Sequence, residues 1–294
     1  MSGSVPDPIQ VDELPADCVR RFAEAAERRI TPCGDGDLVW HIFGNGPPLV
    51  LLHGGFGRWS HWIRNIPVLA RHFTLYLPDI PGHGDSAVPP EPYTGLSIAA
   101  LIKDGLQTLV PDGPPISAAG FSFGGIIGGC LAAQYPRVKM LAVCGSNGLG
   151  LQRGAITGLR HWRGVTDPDE LAAVHRNNLE IVMFGDPSRV DDLAVHLQTT
   201  NAPDARIKGR LIAVTDALAA AMPAVEGRIV PIFGALDCYA KDYMDERIAL
   251  FRSIQPDSEF RVIEDAGHWV MYEQPERFNA VLLDVLGVRD GAHG

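Results

Sequence analysis

Short apolar runs bounded by Gly or Pro recur along the chain at Leu38–Phe43, Pro48–His53, Phe73–Pro78, Ile116–Phe121, Met140–Cys144, Ile229–Gly234 and Glu259–Ile263. Runs of this length and punctuation predict strands. Several are apolar at every position, as strands covered on both faces must be. Between them, His61–His72, Ser97–Leu109, Phe123–Tyr135, Tyr239–Ile254 and Pro275–Leu286 have helical spacing. Strand and helix therefore alternate, which predicts a mostly parallel sheet wrapped by helices.

Two regions depart from the alternation. Met1 to Asp12 carry Pro, Ser and Gly and are expected to be loose, whereas Leu14 to Arg29 place Val19, Phe22, Ala23 and Ala26 at helical spacing. Residues 1–30 are thus read as an N-terminal extension with a helix. In residues 147–226 the stretches His161–Arg163, Leu171–Phe184, Val190–Thr199 and Ala205–Met222 look helical and no strand is visible. This segment is read as an inserted helical cap on a core made of residues 31–146 and 227–294. Its insertion after the strand ending near Ser146 sets it over the carboxyl ends of the strands, where open α/β sheets bind ligands.

Composition narrows the function classes. A chain of 294 residues with 46% hydrophobic and 20% charged positions has the material for a large buried core. The net charge is -10, and the longest basic runs are the pairs Arg20-Arg21 and Arg28-Arg29. No surface of this kind tracks phosphates, so nucleic acid is not an expected partner. No stretch resembles a secretory leader or a membrane span, which points to a cytoplasmic protein with no membrane partner. The five cysteines are scattered and form no C-x-x-C pair. With no H-E-x-x-H and no P-loop, neither a metal nor a cofactor is expected. Gly82-His83-Gly84-Asp85-Ser86-Ala87 imitates a dinucleotide fingerprint, but Val88-Pro89-Pro90-Glu91-Pro92 breaks the helix that such a site needs. A small-molecule substrate is the expected partner, with a homodimer left as an open alternative.

The strongest chemical signal is Gly120-Phe121-Ser122-Phe123-Gly124, directly after one predicted strand and before a helix rich in small residues. A serine on such a turn needs neighbours without bulk if its hydroxyl is to stand above the sheet. The following helix N-terminus aims N–H groups and positive dipole at the place where an oxyanion forms, so the Phe123 N–H is the first candidate donor. A second donor is expected from His53-Gly54-Gly55-Phe56-Gly57, at Gly55 N–H, with His53 bracing the loop.

A serine hydroxyl is a weak nucleophile until a base takes its proton. Of ten histidines, His268 lies in Glu264-Asp265-Ala266-Gly267-His268-Trp269, between the last strand and the last helix. It is the expected base; His61 and His83 are the nearest competitors, since both fall near the mouth of the site. His41, His72, His161, His175, His196 and His293 have no comparable setting. The carboxylate that orients the imidazole is expected at a strand end, where Asp237 closes Ile229–Asp237. Asp265 is its rival but is close in sequence to His268. Phe56, Phe121, Phe123 and Trp269 flank these groups and are expected to wall an apolar pocket.

His53-Gly54-Gly55, Asp79-Ile80-Pro81-Gly82-His83-Gly84-Asp85-Ser86, Gly120–Gly125, Gly234-Ala235-Leu236-Asp237 and Ala266-Gly267-His268-Trp269, in this order, resemble the α/β-hydrolase superfamily over about residues 30–290. The resemblance implies an eight-stranded, mostly parallel sheet and a Ser122, Asp237, His268 triad. Within the superfamily, Met183–Asp192 and the His268-Trp269 pair resemble the meta-cleavage product hydrolases, which split a carbon–carbon bond in vinylogous diketo acids. That group has Asn before the nucleophile, where this chain has Phe121. It also has a cap arginine for the substrate carboxylate, where this chain places Gln198, with Arg176, Arg189 and Arg206 as possible substitutes.

The departures favour a less polar substrate, a small apolar or aromatic carboxylic ester cleaved through an acyl-enzyme. Carbon–carbon hydrolysis is the alternative. Amide or lactone hydrolysis, and a cofactor-free lyase or oxygenase on the same fold, remain further ones. A receptor that keeps the triad without turnover is the reading outside enzymes.

Overall fold

The computed structural model describes residues 3–288, so His293 lies outside the described residues. The sheet has eight strands: β1 (Glu27–Cys33), β2 (Gly36–Phe43), β3 (Pro48–Leu52), β4 (Thr74–Pro78), β5 (Ile116–Phe121), β6 (Val138–Cys144), β7 (Arg228–Gly234) and β8 (Arg261–Ile263). Their spatial order is β1-β2-β4-β3-β5-β6-β7-β8. β2 runs antiparallel to β1 and β4, and every other pairing is parallel.

The pleat explains why the central runs are apolar throughout. In β3, Leu49 and Leu51 enter the core on one face while Val50 and Leu52 enter the core on the other, and all four are 0% exposed. One face is covered by α1 (Pro15–Ala25), α2 (Ile66–Leu69), α10 (Val270–Glu273) and α11 (Pro275–Val285). The other is covered by α3 (Gly95–Leu109), α4 (Phe123–Gln134) and α9 (Met244–Ile254). Burying each such Leu or Val is worth about 1.5–3 kcal/mol, so this double face dominates stability.

Residues 147–226 hold α5 (Pro168–Val182), α6 (Asp192–Asn201), α7 (Gly209–Ala213) and α8 (Ala217–Ala221) and no strand. Leu193, Ala194 and Leu197 of α6 join the first core face, and Leu218 of α8 joins the second. The segment therefore straddles the end of the sheet where β5 and β6 terminate.

Three expectations are corrected. The helix at the N-terminus stops at Ala25, and the following residues form β1, an edge strand with mostly exposed side chains and Pro32 in it. An edge strand tolerates proline and shows little apolar alternation, which is why periodicity misses it. The residues ahead of α1 are not loose: Gly44 N–H donates to the Gly3 carbonyl (3.0 Å), Ser4 N–H to Ala25 (3.1 Å), and Arg21 holds the Asp7 carbonyl (2.9 Å). His161–Arg163 are not helical but lie in irregular chain pinned by Asn178, whose side chain accepts from Arg160 N–H (2.8 Å) and donates to Arg160 O (2.9 Å).

Candidate active site

β5 delivers Ser122 to the end of the sheet, and α4 begins at the next residue. Ser122 has φ 51° and ψ -112°, a left-handed backbone that costs about 1–3 kcal/mol for a residue with a Cβ. The surroundings hold it there: its N–H donates to Cys144 O (2.8 Å) and its carbonyl accepts from the Ser146 hydroxyl (2.7 Å). The glycine two residues on is dictated by contact. A Cβ at Gly124 would lie 2.3 Å from the Leu52 carbonyl and 2.5 Å from that of His53, both backbone.

His268 and Asp237 come from loops after β8 and β7. Nε2 of His268 is 3.0 Å from Ser122 Oγ, and Nδ1 is 2.9 Å from Asp237 Oδ2. The network assigns the tautomer: Nδ1 donates to the carboxylate, leaving Nε2 to accept from the hydroxyl. The other Asp237 oxygen accepts from Tyr239 N–H (2.9 Å). Both residues are buried, and the Tyr239 ring meets the imidazole edge-on at 4.9 Å. Gly145 (φ 52°) passes so close that a Cβ there would sit 3.2 Å from Asp237 Oδ2 and 3.4 Å from His268 Nδ1. Asp265, the rival carboxylate, is exposed and pairs with Arg277 (3.3 Å).

The loop after β3 passes over the nucleophile. A Cβ on Gly54 would be 3.4 Å from the Ser122 Cβ, and one on Gly55 would be 3.9 Å from the Phe123 Cβ. Phe123, the first residue of α4, has no intrahelical acceptor for its N–H. The backbone of Gly54 and Gly55 thus lies against Ser122 and Phe123. His53 braces the loop: Nε2 accepts from Ile80 N–H (2.8 Å), so Nδ1 carries the proton and donates to Gly54 O (2.8 Å). His61 Nδ1 accepts from Gly54 N–H (3.3 Å). Burial holds His53 well below the usual imidazole range, His61 at about 3 and His83 at about 4, so all three are neutral supports.

The other expected site residues divide. Phe56 is 42% exposed at φ 59°, on the outer side of the loop. Phe121 is buried against His268 (5.1 Å between ring centroids) and His61 (5.9 Å), a support under the imidazole rather than a pocket wall. Trp269 is 0% exposed, stacks on Tyr272 at 4.2 Å and donates Nε1–H to His61 O (3.2 Å). Its large apolar ring is worth more in the core than at the mouth, so it ties the His268 loop to the histidine-bearing loop. Arg176 is occupied by the Val190 carbonyl and by Asp192 (2.7 Å). Arg189 holds Asp265 O (3.2 Å) and Asp186, and Arg206 holds the Gly84 (3.0 Å) and Ser86 carbonyls. These arginines are spent on fastening the segment. Gln198 is half-buried on α6, with no side-chain hydrogen bond among the described residues.

Sequence reasoning missed Glu273, a buried carboxylate beside the His268 loop. Buried at 6% exposure, its carboxylate accepts from Gly185 N–H (2.9 Å), Asp186 N–H (2.9 Å) and Gly267 N–H (2.6 Å). One carboxylate thereby joins residues 185–186 to the residue preceding His268. A glutamate at the end of α10 carries no local signal of this; only the three converging amides do. Among the described residues, no group of three or more His, Cys, Asp or Glu is placed to hold a metal ion.

The sheet order, the strained serine between strand and helix, and a Ser–His–Asp series drawn from three loops define the α/β-hydrolase architecture. The chain belongs to the Alpha/beta hydrolase family, whose model matches residues 49–281. It is 29% identical over 272 residues to the pimeloyl-[acyl-carrier protein] methyl ester esterase of Cronobacter sakazakii, spanning 84% of this chain and 96% of that one. It is 28% identical over 259 residues to the 2-hydroxy-6-oxo-6-(2'-aminophenyl)hexa-2,4-dienoic acid hydrolase of Metapseudomonas resinovorans, spanning 84% and 86%. Among solved structures, a meta-cleavage product hydrolase from Pseudomonas fluorescens superposes with TM-score 0.70 at 22% identity, covering 88% of this chain and 97% of that one. A thermophilic esterase from Thermogutta terrifontis gives 0.66 at 22% identity, covering 89% and 98%. The protein is therefore a hydrolase of the α/β family, similar both to esterases and to carbon–carbon hydrolases.

Proposed function

We propose that the protein is a serine hydrolase of small carboxylic esters with an apolar or aromatic acyl part. The observation that carries this is the continuous series from Asp237 Oδ2 through both ring nitrogens of His268 to Ser122 Oγ, at 2.9 and 3.0 Å. In this reading Nε2 takes the hydroxyl proton as Oγ bonds to the ester carbon. The Gly55 and Phe123 N–H groups receive the oxyanion, and Asp237 stabilises the imidazolium. His268 then returns the proton to the leaving alkoxide, and a water, deprotonated by the same nitrogen, releases the acyl group.

Ester over dienoate is favoured by the arginines. Arg176, Arg189 and Arg206 are all engaged with protein groups, and an apolar ring, Phe121, occupies the position before the nucleophile. The second reading, carbon–carbon hydrolysis, is supported by the likeness to the Metapseudomonas resinovorans enzyme. Steady-state hydrolysis of p-nitrophenyl butyrate and benzoate, beside a meta-ring-fission dienoate, tests both with wild type and Ser122→Ala. The expected result is ester turnover that falls by about 10⁵–10⁶-fold in Ser122→Ala. A strong preference for the dienoate would select the second reading, and turnover surviving the substitution would overturn the mechanism.

A further inference from the structure

His268 stands on a loop whose backbone is fixed from outside the sheet. The N–H of Trp269, one residue on, donates to the Met183 carbonyl (2.8 Å), and that of Gly267, one residue back, donates to the Glu273 carboxylate (2.6 Å). Met183 belongs to the linker between α5 and α6, and Glu273 ends α10. The same carboxylate accepts from that linker. Asp186 N–H reaches Oε1 (2.9 Å), and Gly185 N–H is shared between Oε1 (3.1 Å) and Oε2 (2.9 Å).

The two backbones are also in direct contact. A Cβ on Gly267 would lie 2.3 Å from the Gly185 nitrogen and 2.5 Å from the Phe184 carbonyl carbon. The Phe184 ring meets Trp269 edge-on at 6.2 Å. Val182, where α5 ends, accepts from the thiol of Cys238 (3.1 Å), the residue after Asp237. Residues 182–186 therefore touch both loops that furnish the base and its orienting carboxylate.

Three amide donors converging on one buried side chain admit one kind of occupant. A carboxylate accepts at both oxygens and leaves all three N–H groups satisfied. Glutamine has the same shape but turns an NH₂ toward groups that are donors already, so N–H groups stay unpaired in a buried place. Aspartate keeps both acceptors and falls one methylene short. Among the described residues, the hydrogen bonds of the Glu273 side chain all end on backbone amides, so it reaches the reaction only through the His268 loop. That loop sets the 3.0 Å contact between Nε2 and Ser122 Oγ, and a misplacement of about 1 Å at such a contact can cost about a hundredfold in rate.

We propose that Glu273 is a positioning residue for His268. By tying the linker between α5 and α6 to Gly267, it holds Nε2 within reach of Ser122 Oγ. Residues 183–186 are then part of the catalytic support and not of a lid that swings away. The inference rests on the Ser122, His268 and Asp237 series of the reading above, and on no particular ester.

The test is phosphorylation of Ser122 by diethyl p-nitrophenyl phosphate, in which Oγ bonds to phosphorus as His268 takes its proton and p-nitrophenolate leaves. The rate per folded molecule is read well below the melting temperature of each variant, so a residue that only stabilises the fold would leave it unchanged. Glu273→Gln is expected to be labelled about tenfold more slowly, with kcat on any ester falling by a similar factor and KM little changed. Glu273→Asp is expected to be labelled about threefold more slowly than wild type. A wild-type rate in either folded variant would overturn the proposal, and if Glu273→Gln does not fold, Glu273→Asp decides by the same criterion. Rapid labelling of wild type without ester turnover would remove the ester reading, while the labelling rates of the variants still decide for or against Glu273. Wild type that is not labelled at all would overturn the series and this proposal with it.

Discussion

The turn that carries Ser122 and the segment of residues 147–226 above it are built on opposite principles. Around the turn, backbone packs on backbone: the only side chain that fits beside the Leu52 and His53 carbonyls at residue 124 is hydrogen. In the segment, α7 and α8 are five residues each, joined by irregular chain, and the arginines are used as fasteners across long sequence separations. Chemistry here is specified by local sequence under tight steric rule. Substrate choice is specified by scattered side chains whose partners are distant in sequence, so it can change without disturbing the turn.

The largest expected effect separates the regions directly. Gly124→Ala drives a Cβ into two carbonyls and is expected to cost more than about 3 kcal/mol, lowering the melting temperature by on the order of 10 °C or preventing folding. Gly209→Ala in α7 meets the Phe123 ring at an ordinary 3.5 Å and should leave the melting temperature unchanged or raised slightly. Equal losses in thermal unfolding would erase the contrast.

A second effect is pH-dependent and belongs to the loop beside the turn. His53, His61 and His83 are neutral when folded because burial lowers them from 6.5, His61 to about 3 and His83 to about 4. Between those values and 6.5 the unfolded chain binds protons that the folded chain does not, so stability rises with pH there. It is complete above about pH 6.5 and is lost as pH falls toward 4. Asp79, raised from 3.8 to about 6 by burial, acts in the opposite sense over its own range but is one group against these three and His41, which burial likewise lowers to about 4. The melting temperature should drop steadily from pH 6.5 to 4.5; a flat profile would show that these rings are not held neutral in the folded state.

The smallest effects sharpen the boundary itself. Glu273→Gln removes the charge that gathers three N–H groups from both sides and is expected to lower kcat about tenfold with KM little changed, as the His268 loop loosens. Arg176→Ala, whose guanidinium is held by Val190 and Asp192, should change KM less than about twofold. If Arg176→Ala has the larger effect on KM, α5 supplies substrate contacts that its structure assigns to fastening.

Legibility followed the range of the interactions. The strand ends at 121, 144 and 234 and the Ser122, Asp237 and His268 positions were readable because glycine punctuation and apolar runs act within a few residues. β1 was hidden, since an edge strand half in water leaves no period. Trp269 read as a pocket wall because an aromatic beside a reactive residue suits either role, and only its stacking on Tyr272 decides for the core.

By itself, then, the sequence determined the sheet, the serine turn and the order in which the three polar side chains arrive, because each depends on local sterics and hydrophobic periodicity. Only the tertiary structure decided that Glu273 joins residues 185–186 to the His268 loop, that Arg176 faces Asp192, and that Arg153 and Arg247 line one cavity. Those pairings link residues tens to nearly a hundred positions apart, and a charge carries no mark in sequence of which distant partner it will meet.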